Sequence, residues 1–506
     1  MPALSVIDLA MFLLETPERP FNIGPLVVLE PPARGRAGFA DRLMARMLER
    51  PAGAPFNYKL RTPPLAMPTL EVDAEADVSK QVHRVTLEGA GSLEDLCAEV
   101  CRLHESRLDL TRLLWEMYII DGIEGGKVAL YGKTHHGIID GRGFVQAISH
   151  WLAESPHDLE VRAMWDALPR HAQPNPVRAS VARRLTGLLD KLGGTAMTAV
   201  ELSGMLAQQG LKALGVGGAK GLSLPYTGVP GALRGRASAR RSLAFTTLPI
   251  AGIKAIGKAT GSTLNDVLLA TLDMALARYL HERGKRASKP LVAAMPIALA
   301  HAQGGNQIAV LQFPLGAPGL GPAQRLAAIR AETRTVKNVI GKSGSEAVML
   351  YTTLVHGIPA LVEKIGLKTG VPVANLMVSN PFGFAEKRFL MGAKVAWVLP
   401  VSVVPAGQML NVTTVTLDER LQVGFLAMPE AVPGVEMLAR HAAEAFEELK
   451  GAVLGEEAAA QVATVAAKAP AARTRTARKA ARSPAPAPAR PAASANRKSA
   501  TARRSA

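Results

Sequence analysis

Apolar and polar positions follow two rhythms along this chain. Nearly continuous or alternating apolar runs over Gly24–Leu29 and Val128–Thr134 predict strands, and apolar positions at helical spacing over Leu93–Leu108 and Val145–Leu152 predict helices. Their mixture predicts an α/β or α+β domain over residues 1–165. Between about Trp165 and Arg241 the rhythm is broken by PRHAQPNPVR, by glycines clustered around Val216 and by SLPYTGVPG, which predicts an interdomain connection over 166–241. Inside it, Val181, Leu185, Leu188, Leu189 and Leu192 share one helical face, while Arg183, Arg184, Asp190 and Lys191 occupy the others. Such an amphipathic helix either packs on the body or lies on an anionic bilayer surface. From Ser242 the alternation resumes: helices over Ile250–Thr260, Leu264–Leu280 and Ala323–Val339, strands over Leu291–Ile297 and Ile308–Leu315, and a closing helix over Val435–Leu449. This is a second domain, 242–455.

The charge-free run Val395–Leu417 is interrupted by Pro400, Pro405 and Gly407 and is rich in β-branched residues, so it predicts strand, turn, strand rather than a membrane span. The N-terminal MPALSVIDLAMFLLETPERP lacks a basic leader and contains Asp8 and Glu15, unlike a secretion signal. A cytoplasmic location is expected, with peripheral contact to the inner membrane or to lipid droplets.

Composition changes this picture at one end. Of 506 residues, 48% are hydrophobic and 20% charged, a globular profile, and the net charge is +17. Eleven of the basic residues, from Lys468 to Arg504, lie in the last 46 positions with no acidic residue among them, which leaves +6 for residues 1–460. The Ala, Pro, Lys and Arg-rich segment 456–506 has too few apolar anchors to offset chain entropy and is expected to be disordered. It suits an anionic surface or sequence-blind contact with DNA, because it has no aromatics for base stacking. The two cysteines, Cys97 and Cys101, sit four apart in a helical stretch with His104 three residues on. They exclude a disulfide framework, and without a fourth ligand they read as packing residues, so no metal is expected.

The chemistry concentrates in KVALYGKTHHGIIDGRG, Lys127–Gly143. A strand delivers His135 and His136 into a glycine-bounded turn. Side chains alternate along the strand, so His136 is expected to share a face with Thr134 and Gly132, and His135 the other with Lys133 and Tyr131, and only one histidine faces a common cavity. Gly137 and Gly141 let the chain turn so that Asp140 can brace the loop. A neutral imidazole is suited to take a proton from an alcohol near neutral pH.

These residues resemble the bacterial wax ester synthase/diacylglycerol acyltransferase family. HHGIIDG at His135–Gly141 is similar to its HHxxxDG signature, and further blocks follow in family order: LSVIDLAMFLLETPERPFNIG, LLWEMYIIDGIEGG, STLNDVLLA, GGNQI, SNPFG and AGQMLNVTTVT. The resemblance implies two related domains of the chloramphenicol acetyltransferase-like, CoA-dependent acyltransferase type, with a substrate tunnel between them. It implies an acyl-CoA-dependent O-acyltransferase, with acyl-CoA as co-substrate and no cofactor, acting on diacylglycerol or a long-chain alcohol. His136 would be the general base and Asp140 mainly structural, with His135 and Gly141 completing the motif.

The family's Asn-Asp block falls on Asn265 and Asp266. There either Thr263 or Asn265 caps a helix, or the Asn265 amide donates to a developing oxyanion. Ser379 and Asn380 either line the site or form a turn. The chain departs from the family pattern at Leu113, Asn22, the PFGF after Asn380, and Ala300, none of which touches the histidine motif. Two other readings compete: a condensation-type transferase using a carrier-protein thioester, and a non-catalytic lipid-droplet or DNA-tethering protein acting through 456–506.

Overall fold

The computed structural model describes residue 4 and residues 6–64, 67–139, 141–167, 226–298, 308–342, 345–366 and 372–455. The expected amphipathic helix at Val181–Leu192, Asp140, Ala300 and the basic tail 456–506 lie outside the described residues.

In chain order the first half carries α1 (Val6–Leu14), β1 (Asn22–Glu30), α2 (Phe39–Leu48), β2 (Tyr58–Arg61), β3 (Thr69–Val72), β4 (Val82–Thr86), α3 (Leu93–Glu105), β5 (Trp115–Ile123), β6 (Lys127–His135) and α4 (Gly141–Trp151). The second half carries β7 (Ser242–Pro249), α5 (Ile250–Thr260), α6 (Leu264–Glu282), β8 (Val292–Ala298), β9 (Ile308–Pro314), α7 (Pro322–Lys342) and α8 (Ser345–Lys364). It continues through β10 (Leu376–Phe384), β11 (Phe389–Leu390), β12 (Ala393–Val401), β13 (Leu410–Leu417), β14 (Arg420–Ala427) and α9 (Val435–Leu454).

Two six-stranded sheets result, in the orders β11-β12-β1-β6-β5-β4 and β7-β14-β13-β10-β8-β9. The mixed α/β architecture therefore matches the expectation, and so does the strand, turn, strand over Val395–Leu417. One segment of the second half, β11 and β12, crosses over to pair with β1 and complete the first sheet. This is why β1 reads NIGPLVVLE, an unbroken apolar run: β6 and β12 flank it, and only Glu30 is exposed. The close approach is visible at Gly24, where a Cβ would sit 1.4 Å from the carbonyl oxygen of Gly132.

Packing ties the halves together. One apolar cluster combines Leu26, Val28, Tyr131 and Leu399 of the first sheet with Leu243 and Leu426 of the second and with Met428 just after β14. Another places Phe384, Val415 and Leu417 against first-sheet residues such as Val398 and Val27. The buried Arg19 guanidinium adds a polar tie, since its Nη1 donates to the carbonyls of Val404 (2.9 Å), Pro405 (2.8 Å) and Gln408 (3.1 Å) while Nε pairs with Glu363. In the second half α6 is buried on almost every face, as its sequence LNDVLLATLDMALARYL requires, and it packs against α7 and α9.

Candidate active site

β6 ends on His135, and His136 opens a single 3-10 turn, His136–Ile138. The strand alternation that would have paired His136 with Thr134 and Gly132 thus stops one residue early, because the chain leaves the sheet at His136. The turn rather than the pleat separates the two rings.

His135 is fully buried. Its Nδ1 accepts the Gly137 backbone N–H at 3.0 Å, and its ring lies parallel to that of Phe12, with centroids 4.1 Å apart. Since a backbone amide can only donate, the neutral ring carries its proton on Nε2, which faces Glu15 Oε1 at 3.9 Å. Burial, helped by the neighbouring His136 and Arg107 charges, pushes the imidazole down to about 3. This histidine is held neutral and turned inward. His136 is half-buried, and its backbone N–H donates to the Phe21 carbonyl at 2.8 Å. Gly137 has to lack a side chain: a Cβ there would stand 2.5 Å from the Phe12 ring. Gly141 follows as the first residue of α4.

Beneath the turn lies a buried polar network. Glu15, with its side chain wholly enclosed, pairs with Arg107 through Oε2 (3.0 and 2.7 Å) and accepts the Phe21 N–H through Oε1 at 3.1 Å. Lys133 Nζ, also buried, donates to Ser106 Oγ (2.8 Å) and Glu116 Oε2 (3.2 Å), and burial lowers its pKa. The Asn22 amide donates to the carbonyls of His104 (3.0 Å) and Ser106 (2.8 Å), fixing the end of α3 against β1. His104 has both nitrogens engaged, with Tyr131 Oη at 2.6 Å and the Ser402 carbonyl at 3.1 Å, and burial holds it at about 3. Cys97 and Cys101 are buried, and desolvation raises both thiols. The trio Cys97, Cys101 and His104 packs as core.

The remaining candidates gather at the start of α6. Thr263, not Asn265, is the cap: its side chain accepts the Asp266 N–H, and Asp266 Oδ2 accepts the Thr263 backbone N–H at 2.7 Å. Asp266 Oδ1 accepts the Thr333 hydroxyl at 2.6 Å, so both carboxylate oxygens are engaged in holding the helix start. Asn265 points elsewhere. Its Oδ1 accepts Asn380 Nδ2 at 3.0 Å across 115 residues of sequence, which leaves both N–H groups of its own amide nitrogen outside this bond. Ser379 and Asn380 lie in β10 rather than in a free turn, at a register shift between Ser379 and Phe382 where the strand pairs with β13. The Ser379 carbonyl accepts the Thr414 hydroxyl at 3.4 Å. Helix α4, which the histidine turn leads into, packs against β10.

Sequence reasoning singled out the histidines and the two asparagines as candidates and did not single out Phe12, Glu15, Arg107 or Lys133, which the structure places around the histidine turn. Their signal was present: Lys133 interrupts a strand that is otherwise buried throughout, and a charge at such a position needs a partner.

The fold is shared with solved structures. The wax ester synthase/diacylglycerol acyltransferase from Marinobacter aquaeolei superposes with a TM-score of 0.67 at 21% identity, over 90% of this chain and 100% of that one. The first condensation domain of the CDA synthetase follows with a TM-score of 0.54 at 16% identity, over 89% and 97%. The wax ester synthase/diacylglycerol acyltransferase catalytic domain matches residues 4–268 and the family's C-terminal domain matches residues 304–450. The chain belongs to this family. A Mycobacterium tuberculosis protein named probable diacylglycerol O-acyltransferase Tgs4 is 32% identical over 89% of this chain and 97% of its own length. A second from that organism, tgs2, is 29% identical over 88% and 98%.

Proposed function

We propose that the chain is an acyl-CoA-dependent O-acyltransferase that moves a long-chain acyl group onto the hydroxyl of diacylglycerol, forming triacylglycerol, or of a long-chain alcohol, forming a wax ester. The observation that carries the reading is the division of labour within the histidine pair. His135 is fully buried and neutral, with Nδ1 engaged by the Gly137 N–H, whereas His136 is half-buried where it opens the turn, so the chemistry is assigned to His136.

His136 takes the proton of the acceptor hydroxyl as its oxygen attacks the thioester carbonyl. The carbonyl becomes a tetrahedral oxyanion, which the Asn265 amide, oriented by Asn380, receives as a hydrogen-bond donor. Collapse re-forms the carbonyl and breaks the carbon–sulfur bond, and the departing CoA thiolate takes the proton from His136. Gly141 opens α4 directly after the turn, and the protein's own side chains supply every proton movement without a cofactor. The acyl chain and its acceptor occupy a tunnel between the halves.

Among the described residues no helix is long and apolar enough to cross a membrane. The acceptors are lipids, so we place the enzyme at a membrane or lipid-droplet surface, with the basic segment 456–506 on anionic headgroups. Loss of that segment changes retention on vesicles or on DNA and leaves turnover of detergent-dispersed substrate intact. The carrier-protein alternative is disfavoured, because the family matched is the lipid one on both halves of the chain.

The deciding experiment follows CoA release from palmitoyl-CoA by the chain and its His136→Ala variant, with diacylglycerol and separately with hexadecanol. Acceptor-dependent release that is lost in the variant supports the assignment, whereas a folded and fully active His136→Ala would sink it.

A further inference from the structure

We propose that Glu15, anchored by Arg107, is a positioning residue for the histidine turn, acting through Phe21 and His135 rather than on substrate; this deepens the acyl-transfer reading above and rests on it. The two carboxylate oxygens do different jobs. Oε2 takes both Arg107 bonds, while Oε1 accepts the Phe21 N–H at 3.1 Å and faces His135 Nε2 at 3.9 Å. The other side of the same Phe21 residue, its carbonyl, receives the His136 N–H at 2.8 Å. Glu15 and His136 are thereby joined through one residue, and Glu15 reaches both members of the histidine pair. Three residues earlier, Phe12 lies flat on the His135 ring and closes the space beside Gly137.

Four residues later, Arg19 fastens the same segment to Val404, Pro405, Gln408 and Glu363 of the second half. Segment 12–21 is a brace, fixed at its far end by Arg19 and pressed on the histidines at its near end by Phe12 and Glu15. Packing alone does not call for a carboxylate here: a neutral acceptor would satisfy Phe21 without the cost of enclosing an ion pair. What the charge adds is a fixed aim. Arg107, itself partly exposed, holds the carboxylate so that Oε1 cannot swing away from Phe21 and His135.

Misplacing a reacting group by about 1 Å from a distant substitution costs on the order of 100-fold in rate. Glu15→Gln is therefore expected to lower kcat roughly 10- to 100-fold while leaving KM for palmitoyl-CoA within about twofold. Arg107→Gln, which releases Glu15 from its solvent side, lowers kcat in the same direction and carries the test should Glu15→Gln fail to fold. Both are measured in the parent and in the His136→Ala background, in single-turnover reactions with palmitoyl-CoA and the preferred acceptor. If Glu15 works by placing His136, its loss costs nothing further once His136 is gone. An equal loss in both backgrounds is the signature of fewer folded molecules and overturns the proposal. Full kcat in Glu15→Gln beside an inactive His136→Ala overturns it while sparing the acyl-transfer reading; a fully active His136→Ala removes that reading itself.

Discussion

The two sides of the candidate site are built from opposite materials. The histidine side is set in buried charge: Glu15 against Arg107, Lys133 against Glu116, and two histidines, His135 and His104, that burial keeps neutral. The asparagine side is set in neutral amides, Asn265 and Asn380 in one hydrogen bond, on a helix whose start is closed by Thr263 and Asp266. A side that exchanges a proton needs neighbours that fix its charge and tautomer. A side that only receives an oxyanion needs donors that never titrate.

That contrast orders the expected losses. His136→Ala removes the proposed proton carrier and is expected to cost roughly 100- to 10,000-fold in turnover. Asn265→Ala removes a donor from the oxyanion side and should lower kcat on the order of 100-fold, with KM for palmitoyl-CoA little changed. Asn380→Ala, which loosens Asn265 without deleting it, should cost less than Asn265→Ala. Neither asparagine variant shifts the pH profile of kcat, because no titrating group has been touched; a shifted profile would erase the distinction between the two sides.

Much of this was legible in the sequence, for physical reasons. HHGIIDG announced itself because two adjacent imidazoles bounded by glycines suit a turn more than a core. Strands β1 and β6 of the first sheet were legible because burial on both faces leaves continuous apolar runs, as in β1. What stayed hidden depends on long-range placement. Nothing local says that β12, over 360 residues from β1, completes its sheet, or that Asn380 meets Asn265. SNPFGF reads as a turn from its residue types, yet its neighbours β8 and β13 hold it as a strand with an irregular register. Glu15 sits in ETPERP, a stretch that reads as an exposed polar loop until Arg107 is folded onto it.

Buried histidines also give stability a pH dependence. His104 and His135 are pushed down to about 3 and His356 to about 4, in each case mainly by burial. Their folded forms remain neutral where the unfolded chain, titrating near its ordinary value of 6.5, takes up protons. Stability is therefore whole above about pH 6.5 and falls as the pH drops toward those folded values, by up to about 1.4 kcal/mol per pH unit for each group. Asp273, raised to about 6 by burial beside Arg325, works in the opposite direction. Its contribution is present below the unfolded value of 3.8 and is lost as the pH rises through 6. Three groups against one leave a net loss on acidification, so the urea midpoint should be clearly lower at pH 5 than at pH 7. An unchanged midpoint would contradict the neutral, inward assignment of His135.

The smallest effects separate the two capping boxes. Ser92 and Asp95 close α3 where both residues are half-buried and the side-chain hydrogen bonds of Asp95 run to Ser92 within the cap, so Asp95→Ala should lower the urea midpoint only slightly. At the start of α6 Thr263 is exposed, but Asp266 is buried and also accepts the buried Thr333 hydroxyl, so Asp266→Ala removes a buried acceptor as well as the cap and should cost about 2 kcal/mol. Asp266→Asn keeps an acceptor oxygen and should recover part of that loss. Because both oxygens of Asp266 are engaged in the helix start, activity per folded molecule in Asp266→Asn should stay far closer to the parent than in Asn265→Ala. A loss of kcat matching that of Asn265→Ala, with stability retained, would move Asp266 from scaffold to chemistry and give the asparagine side a titrating member after all.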